Sequence, residues 1–397
     1  FQGDLDTTGT LNGNLIIVGG GDPSLNSKYL ENDSTSYDFV EYTVQLLKTN
    51  GIKNINGDIL VDGSAFGYHG VPNGWSWADM GNYYGAGPSG IIFNDNILRY
   101  YFKTGNTGSY SKLVRLDPPI DSENFHFKNE IRAGTHGGDR SMIYGSPYSM
   151  DRFGTGSLPR NRSSYEVKGS LPDPEKTLGF ALIDALRKEG INVDAALTKR
   201  ELEAEKSENA ISKQSLYQLL GTYEGARLQE IVTQTNMRSI NLFAEQMPAL
   251  IAYEKGNVLS LQDNIEDLEK YWENRLTGFE GHITDGSGLS RSNAVSANDF
   301  CLMLNYMFKQ KEAEAFISSL PVAGESGTLK SMCQGQTAQG RVFAKSGTMN
   351  RVKSYAGYVK TKSGRNLCFA VIVNNHKSSS GEVKKKLSQL FNAMAQL

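Results

Sequence analysis

Two short runs carry side chains whose types suit acyl transfer at an amide. Lys345-Ser346-Gly347-Thr348 closes an apolar alternation in "RVFAKSGTM", and Ser239-Ile240-Asn241 lies about a hundred residues earlier, at the opening of a helical run. Cleaving an amide needs a protonated leaving nitrogen, an oriented substrate and donors for the developing oxyanion. A hydroxyl beside a lysine can relay the proton, and an asparagine can hold the substrate's amide carbonyl. A lysine on an edge strand keeps the site positive, which favours a carboxylate-bearing substrate. Small residues after it let a substrate backbone lie along the strand as an added β-partner. Each run also has an ordinary reading, the first as a strand entering a turn and Ser239 as a helix N-cap. One serine can both cap and relay.

The elements that must position these groups follow from hydrophobic period. "NLIIVGGGDPSL" reads as a short strand stopped by Gly19-Gly20-Gly21 and the Asp22-Pro23 turn, and "GDILVDG" as another strand. "YDFVEYTVQLLKTNG" and "GFALIDALRKEG" have helical spacing and end at Gly51 and Gly190. Between about Leu116 and Pro172 the pattern loosens into Gly, Ser, Arg and Asn with short alternating runs, as a small β insertion would. From near Lys206 helices dominate, and "SANDFCLMLNYMFKQ" opens with Ser296 and Asp299 in capping-box order. Three strand-like runs follow Val342. A closing helix places Val383, Leu387, Leu390, Phe391, Met394 and Leu397 on one stripe. Helices, an antiparallel sheet and a terminal helix packed on it make an α+β domain, with the lysine box on one strand.

Composition narrows the classes. The 397 residues suffice for two or three domains, and 39% hydrophobic and 21% charged residues with a net charge of −2 fit a globular protein that does not select nucleic acid or an anionic membrane. No apolar run is long enough to span a bilayer. Cys301, Cys333 and Cys368 form no C-x-x-C pair, and the five histidines form no H-E-x-x-H, so no metal or cofactor is expected. The chain begins Phe1-Gln2-Gly3-Asp4 without Met or a signal-type n-region, as a processed or trimmed product would.

Further runs stand in order around the two that carry chemistry: Gly20-Gly21-Asp22-Pro23-Ser24-Leu25, "GWSWADM" (Gly74 to Met80), "TDGSGLSRSN" (Thr284 to Asn293) and "LPVAGESGTL" (Leu320 to Leu329). With S-x-N and K-S-G-T, this order resembles the exported D-alanyl-D-alanine carboxypeptidase/endopeptidase penicillin-binding proteins of low-molecular-mass class C, the dacB type of peptidase family S13. The resemblance covers nearly the whole chain. It implies a penicillin-binding/serine β-lactamase-like transpeptidase domain, an antiparallel sheet with helices, carrying a large inserted α/β domain with a nested small β domain. The division expected is 1–115 and 172–205 for the inserted domain, with a small N-terminal part left open to the catalytic domain. Residues 116–171 would be the nested β domain, and 206–397 the C-terminal part of the catalytic domain.

The resemblance also implies an acyl-serine mechanism on D-Ala-D-Ala stem peptides of peptidoglycan, with β-lactam antibiotics as inhibitors and a periplasmic or cell-envelope location. It leaves open a homodimer and the balance of carboxypeptidase and endopeptidase action. Ser239 and Asn241 match the second motif, and Lys345, Ser346, Gly347 and Thr348 the third. The hydroxyls of Ser346 and Thr348 would bind the terminal carboxylate, and the Thr348 N–H would form half the oxyanion hole. Asp79 would read the amine end of the third stem residue; as an ordinary residue it is a helix-start or turn carboxylate.

The first motif, S-x-x-K, places a nucleophile at a helix start with a lysine one turn on. Only Ser109-Tyr110-Ser111-Lys112 has that spacing, in a Gly/Asn/Ser-rich turn before a strand, so the nucleophile and its lysine are expected upstream of Phe1. The alternative is a non-catalytic peptidoglycan-binding pseudoenzyme that lacks the first motif. A class A β-lactamase is disfavoured because no Glu from Glu245 to Glu325 has Asn four residues later, and an ester hydrolase because no G-x-S-x-G elbow occurs.

Overall fold

Apolar residues in period two lay down the first strands. β1 (Gln2–Leu5) and β2 (Thr10–Val18) form a hairpin, and β2 pairs in parallel with β3 (Asn54–Ile55) and β4 (Ile59–Asp62). Parallel pairing requires a crossover, supplied by α1 (Phe39–Thr49), whose N-cap Asp38 accepts from Val40 N–H and whose stop is Gly51 at φ 73°. The structure, a computed structural model, describes residues 1–30, 38–121, 123–205, 217–256 and 260–397. It divides into two compact units, Phe1–Ala226 with Glu245–Leu261, and Arg227–Ala244 with Gln262–Leu397. The expected change near Lys206 lies outside the described residues.

In the first unit the chain passes through the short helix α2 (Trp77–Met80) into two small sheets. β5 (Ile97–Lys103) is flanked by β6 (Lys112–Asp117) and, later, β11 (Tyr165–Ser170), both antiparallel. β7 (His126–Asn129), β8 (Arg132–Gly134) and β9 (Arg140–Tyr144) all pair with β10 (Asp151–Pro159). Leu98, Tyr100, Phe102, Ile131, Ile143 and Leu158 bury one shared core between them. The chain then returns through α3 (Pro174–Lys188) to β12 (Ala196–Thr198), parallel to β4, and ends this stretch in α4 (Lys199–Glu205). Val44 and Leu47 of α1 and Leu178, Leu182 and Leu186 of α3 pack on Leu11, Leu15, Ile59 and Val61 of the sheet. Mixed parallel strands with helices on them make this part α/β, with the two β sheets set into it.

The second unit holds α5 (Leu228–Arg238), the start of α6 (Asn241–Glu254), most of α7 (Leu261–Glu273), α8 (Ala297–Phe308) and α9 (Ala313–Ser319). The meander β13 (Val342–Met349), β14 (Val352–Lys360) and β15 (Asn366–Val373) follows, then α10 (Ser380–Gln396). Alternation sends successive side chains to opposite faces. Val342, Ala344, Tyr355 and Val359 meet α10 on one face, while Phe343, Ala356 and Tyr358 meet Leu304 of α8 and Phe316 of α9 on the other. Both faces of the sheet are covered, so β13 is fixed on a rigid layer.

The stripe of α10 differs from expectation. Val383, Leu387, Phe391 and Ala395 are buried, whereas Leu390 and Leu397 are 42% and 58% exposed. The i, i+4 row meets the sheet and leaves its flanks in solvent; each fully buried Val, Leu or Phe of the row contributes about 1.5–3 kcal/mol. The capping box of α8 forms as the sequence suggests, with Ser296 Oγ accepting from Asp299 N–H at 3.1 Å. No helix among the described residues is long and apolar enough to cross a membrane.

Candidate active site

The two edges of β13 have different partners. On one, Arg341 O accepts from Lys360 N–H at 2.9 Å, so the odd-numbered residues from 341 to 349 bond to β14. On the other, Ala323 N–H donates to Val342 O at 2.9 Å and Ala344 N–H to Pro321 O at 3.0 Å. Among the described residues that cover stops at Ala344. Ser346 and Thr348 share its parity and turn their backbone N–H and C=O groups to the same edge, beyond the covering segment. A Cβ at Gly347 would meet Ser354 Oγ across the strand pair, so a larger residue there would need that hydroxyl to turn away.

Ser239 comes to this edge from a different direction. Its ordinary reading as an N-cap does not hold: α5 ends at Arg238, Ser239 is the left-handed C-cap at φ 60°, ψ 56°, and α6 begins at Asn241. Ser239 N–H and Ile240 N–H both bond Thr235 O, which closes the helix end. A glycine would adopt this conformation at about 1 kcal/mol less; what serine adds is an exposed Oγ. The helix end is held by Asn236 Nδ2 donating to Ser319 Oγ of α9 at 2.8 Å. Nearby, Gly327 has φ 54°, and a Cβ there would lie 2.9 Å from Pro321 Cβ and 3.0 Å from Met237 O. The "GESGTL" turn can approach α5 only because that residue is glycine.

Lys345 joins the pieces. Its Nζ donates to Ser239 Oγ at 2.6 Å and to Ser346 O at 2.7 Å. Burial, with the positive charge of Lys353 behind it, brings the Lys345 pKa down from its ordinary value to about 8. Ser346 Oγ donates to Thr328 Oγ1 at 2.8 Å, and Lys353 Nζ donates to Thr348 Oγ1. Lys353 is also lowered, by burial first and by Lys384 second. Two ammonium groups and two hydroxyls thus converge on an open strand edge, and among the described residues neither Lys345 nor Lys353 has a carboxylate partner. This arrangement can hold an anion and pass a proton between an amine and a serine.

The remaining sequence candidates fall as follows. Asn241 is the first residue of α6, two positions after Ser239. The "TDGSGLSRSN" loop is tied by buried Asp285, which accepts from Gly288 N–H at 2.8 Å, Ser290 N–H and Asn293 Nδ2 at 2.8 Å. Asp79 belongs to the first unit. It lies buried in the first turn of α2, capped by Ser76, with Tyr84 OH donating to its Oδ1 at 3.3 Å. Ser109 donates to Asn106 O at 2.7 Å in a turn, and Lys112 opens β6, so no helix presents that pair. No group of His, Cys, Asp or Glu among the described residues could hold a metal ion.

Sequence reasoning assigned no role to Thr328 or Lys353. The signal for Lys353 is the two-residue turn Asn350-Arg351, with Arg351 at φ 63°, which sets Lys353 opposite Thr348. Thr328 lies in the "GESGTL" run already singled out.

The model of the D-Ala-D-Ala carboxypeptidase 3 (S13) family matches residues 2–396. The D-alanyl-D-alanine carboxypeptidase of an Actinomadura species is 25% identical over 375 residues, covering 91% of this chain and 66% of its own length. The D-alanyl-D-alanine carboxypeptidase DacB of Haemophilus influenzae is 24% identical over 388 residues, covering 96% of this chain and 76% of its own. The chain thus spans about two thirds to three quarters of these curated relatives. In fold it is similar to the crystal structure of penicillin binding protein 4 (dacB) from Haemophilus influenzae, with a TM-score of 0.78 and 20% identity over 100% of this chain and 85% of that one.

Proposed function

The chain belongs to the D-Ala-D-Ala carboxypeptidase 3 (S13) family, and on that footing we propose that it is a penicillin-sensitive serine-type D-Ala-D-Ala carboxypeptidase/endopeptidase of peptidoglycan stem peptides. The observation that carries this reading is the Lys345–Ser239 hydrogen bond of 2.6 Å beside the uncovered edge of β13. In this mechanism the serine of an S-x-x-K segment outside these 397 residues attacks the carbonyl of the penultimate D-Ala and gives its proton to the lysine of that segment. The new C–O bond gives a tetrahedral oxyanion, for which Thr348 N–H supplies one donor. The C–N bond then breaks, the proton passing from the Lys345 ammonium through Ser239 Oγ to the departing amine. Ser346 and Thr348 hydroxyls hold the terminal carboxylate, Gly347 gives the substrate backbone room, and Asn241 holds its amide. Water then hydrolyses the acyl-enzyme, its proton returning through Ser239 Oγ to Lys345 while the lysine of the S-x-x-K segment reprotonates the released serine.

In the same reading Asp79 recognises the amine end of the third stem residue, and the protein works in the periplasm or at the cell envelope. Residues 206–397 are the C-terminal part of the catalytic domain, 1–115 and 172–205 the inserted domain, and 116–171 its nested β domain. Self-association is read by sedimentation, a homodimer being the form proposed.

Intact mass after incubation with benzylpenicillin tests the acyl-serine reading. Protein that carries the S-x-x-K segment gains one covalent adduct, and the 397-residue chain gains none. An adduct on the 397-residue chain would move the nucleophile into it. No adduct on either would leave the non-catalytic peptidoglycan-binding reading.

A further inference from the structure

We propose that Lys353 is a carboxylate-binding residue, a second cation that holds the substrate's C-terminal carboxylate beside the hydroxyls of Ser346 and Thr348. The proposal rests on the acyl-enzyme reading and identifies what makes that site selective for a free acid.

The hairpin places it. Residues 347 and 354, and 349 and 352, are bonded pairs, so Thr348 and Lys353 form the intervening non-bonded pair, whose side chains stand closest. Lys353 Nζ donates to Thr348 Oγ1. Thr348 therefore receives a hydrogen bond on its lone pair and keeps its own hydroxyl proton to donate. The ammonium also lies 5.6 Å from the centre of the Tyr355 ring, and Val373 is its register partner on β15. Only 6% of Lys353 is exposed. The charges acting on it are cationic, with Lys384 of α10 behind it and Lys345 across the site.

A lysine so placed is out of proportion to any structural need. Burying an ammonium is unfavourable unless it is paired, and here a threonine hydroxyl is the one hydrogen-bond partner among the described residues. Packing alone would be met by an apolar residue beside Val373 and Tyr355. What the surroundings lack, among the described residues, is one negative charge at the uncovered end of β13. A carboxylate there accepts from Lys353 and from the Thr348 hydroxyl. Ser346 reaches it once its proton turns from Thr328, which then donates in return. The ligand class is a terminal carboxylate in extended conformation along the strand, and an ester or amide at the same position has no charge to offer.

The test uses protein carrying its S-x-x-K segment, with benzylpenicillin and its methyl ester as probes of one shape and different charge. Lys353→Met lowers the second-order acylation rate by the free acid about ten- to a hundredfold, as loss of a charge-assisted hydrogen bond does. It leaves the methyl ester's rate within about twofold, and Lys353→Arg recovers most of the free-acid rate. An equal loss on both probes, or none on the free acid, overturns the proposal while leaving the acyl-enzyme reading intact. Wild-type protein that takes no adduct refutes that reading, and this proposal with it.

Discussion

Replacing Lys345 with Met should make the second unit more stable at neutral pH while lowering turnover about 10²–10⁴-fold. The reasoning is proton linkage. Folding moves the Lys345 pKa from an ordinary 10.5 to about 8, chiefly by burial and next by Lys353. At about 1.4 kcal/mol per pH unit, the full displacement amounts to about 3 kcal/mol; partial exposure of the side chain reduces this to about 1–2 kcal/mol. The sign follows from which state holds the proton. Between pH 8 and 10.5 the unfolded chain keeps it and the folded chain has released it, so wild-type stability rises with pH over that window. Below pH 8 both states are charged and the penalty is complete. Met has no proton to exchange, so its advantage over wild type is largest at pH 7 and shrinks by about 1–2 kcal/mol by pH 10.5. For a unit of this size that is a change of about 2–8 °C in the difference between the two Tm values. Static losses, such as the two hydrogen bonds from Nζ, cancel in that comparison. Thermal unfolding of both proteins from pH 7 to 10.5 reads it. A Tm difference that stays constant, or grows with pH, would refute a depressed Lys345.

Glu175 of α3 gives the opposite linkage in the first unit. Fully buried and next to Asp173, it is pushed up to about 8, so wild-type stability falls as pH rises from about 4.5 to 8. Glu175→Gln removes this slope, and its advantage grows by up to about 4 kcal/mol over that window; parallel melting curves from pH 5 to 8 would contradict it. Asp79→Ala should slow cleavage of diaminopimelate-containing peptides about tenfold more than cleavage of simple diacyl-D-Ala-D-Ala, the size of one lost charge-assisted hydrogen bond. Equal losses on the two substrates would remove Asp79 from substrate reading.

The strand that bears Lys345 was legible because its alternation is local, and the register of β13 with β14 follows from a two-residue turn visible in the sequence. That same register would have disclosed Lys353, had each residue of the box been paired across Asn350-Arg351. Ser239 was legible as chemistry and not as geometry. A serine between two helical runs reads equally as the end of one or the start of the next, and the left-handed C-cap is decided by how α5 docks on α9 and the "GESGTL" turn. On α10, helical period identified the face but not its width, because Leu390 and Leu397 lie on its flanks and only contact with the sheet separates them from Leu387 and Phe391. The Thr328–Ser346 contact joins segments 18 residues apart through the fold alone.

The central claim is that Lys345 and Ser239 act as one proton relay, and a double-mutant cycle on turnover of diacyl-D-Ala-D-Ala measures it most directly. Each of Ser239→Ala and Lys345→Met should lower kcat by about 10²–10⁴-fold in protein that carries the S-x-x-K serine. If the relay is one unit, the double variant is no slower than the slower single variant. Losses that multiply would mean that the two residues act independently, and the 2.6 Å hydrogen bond between them would not be the route of the proton.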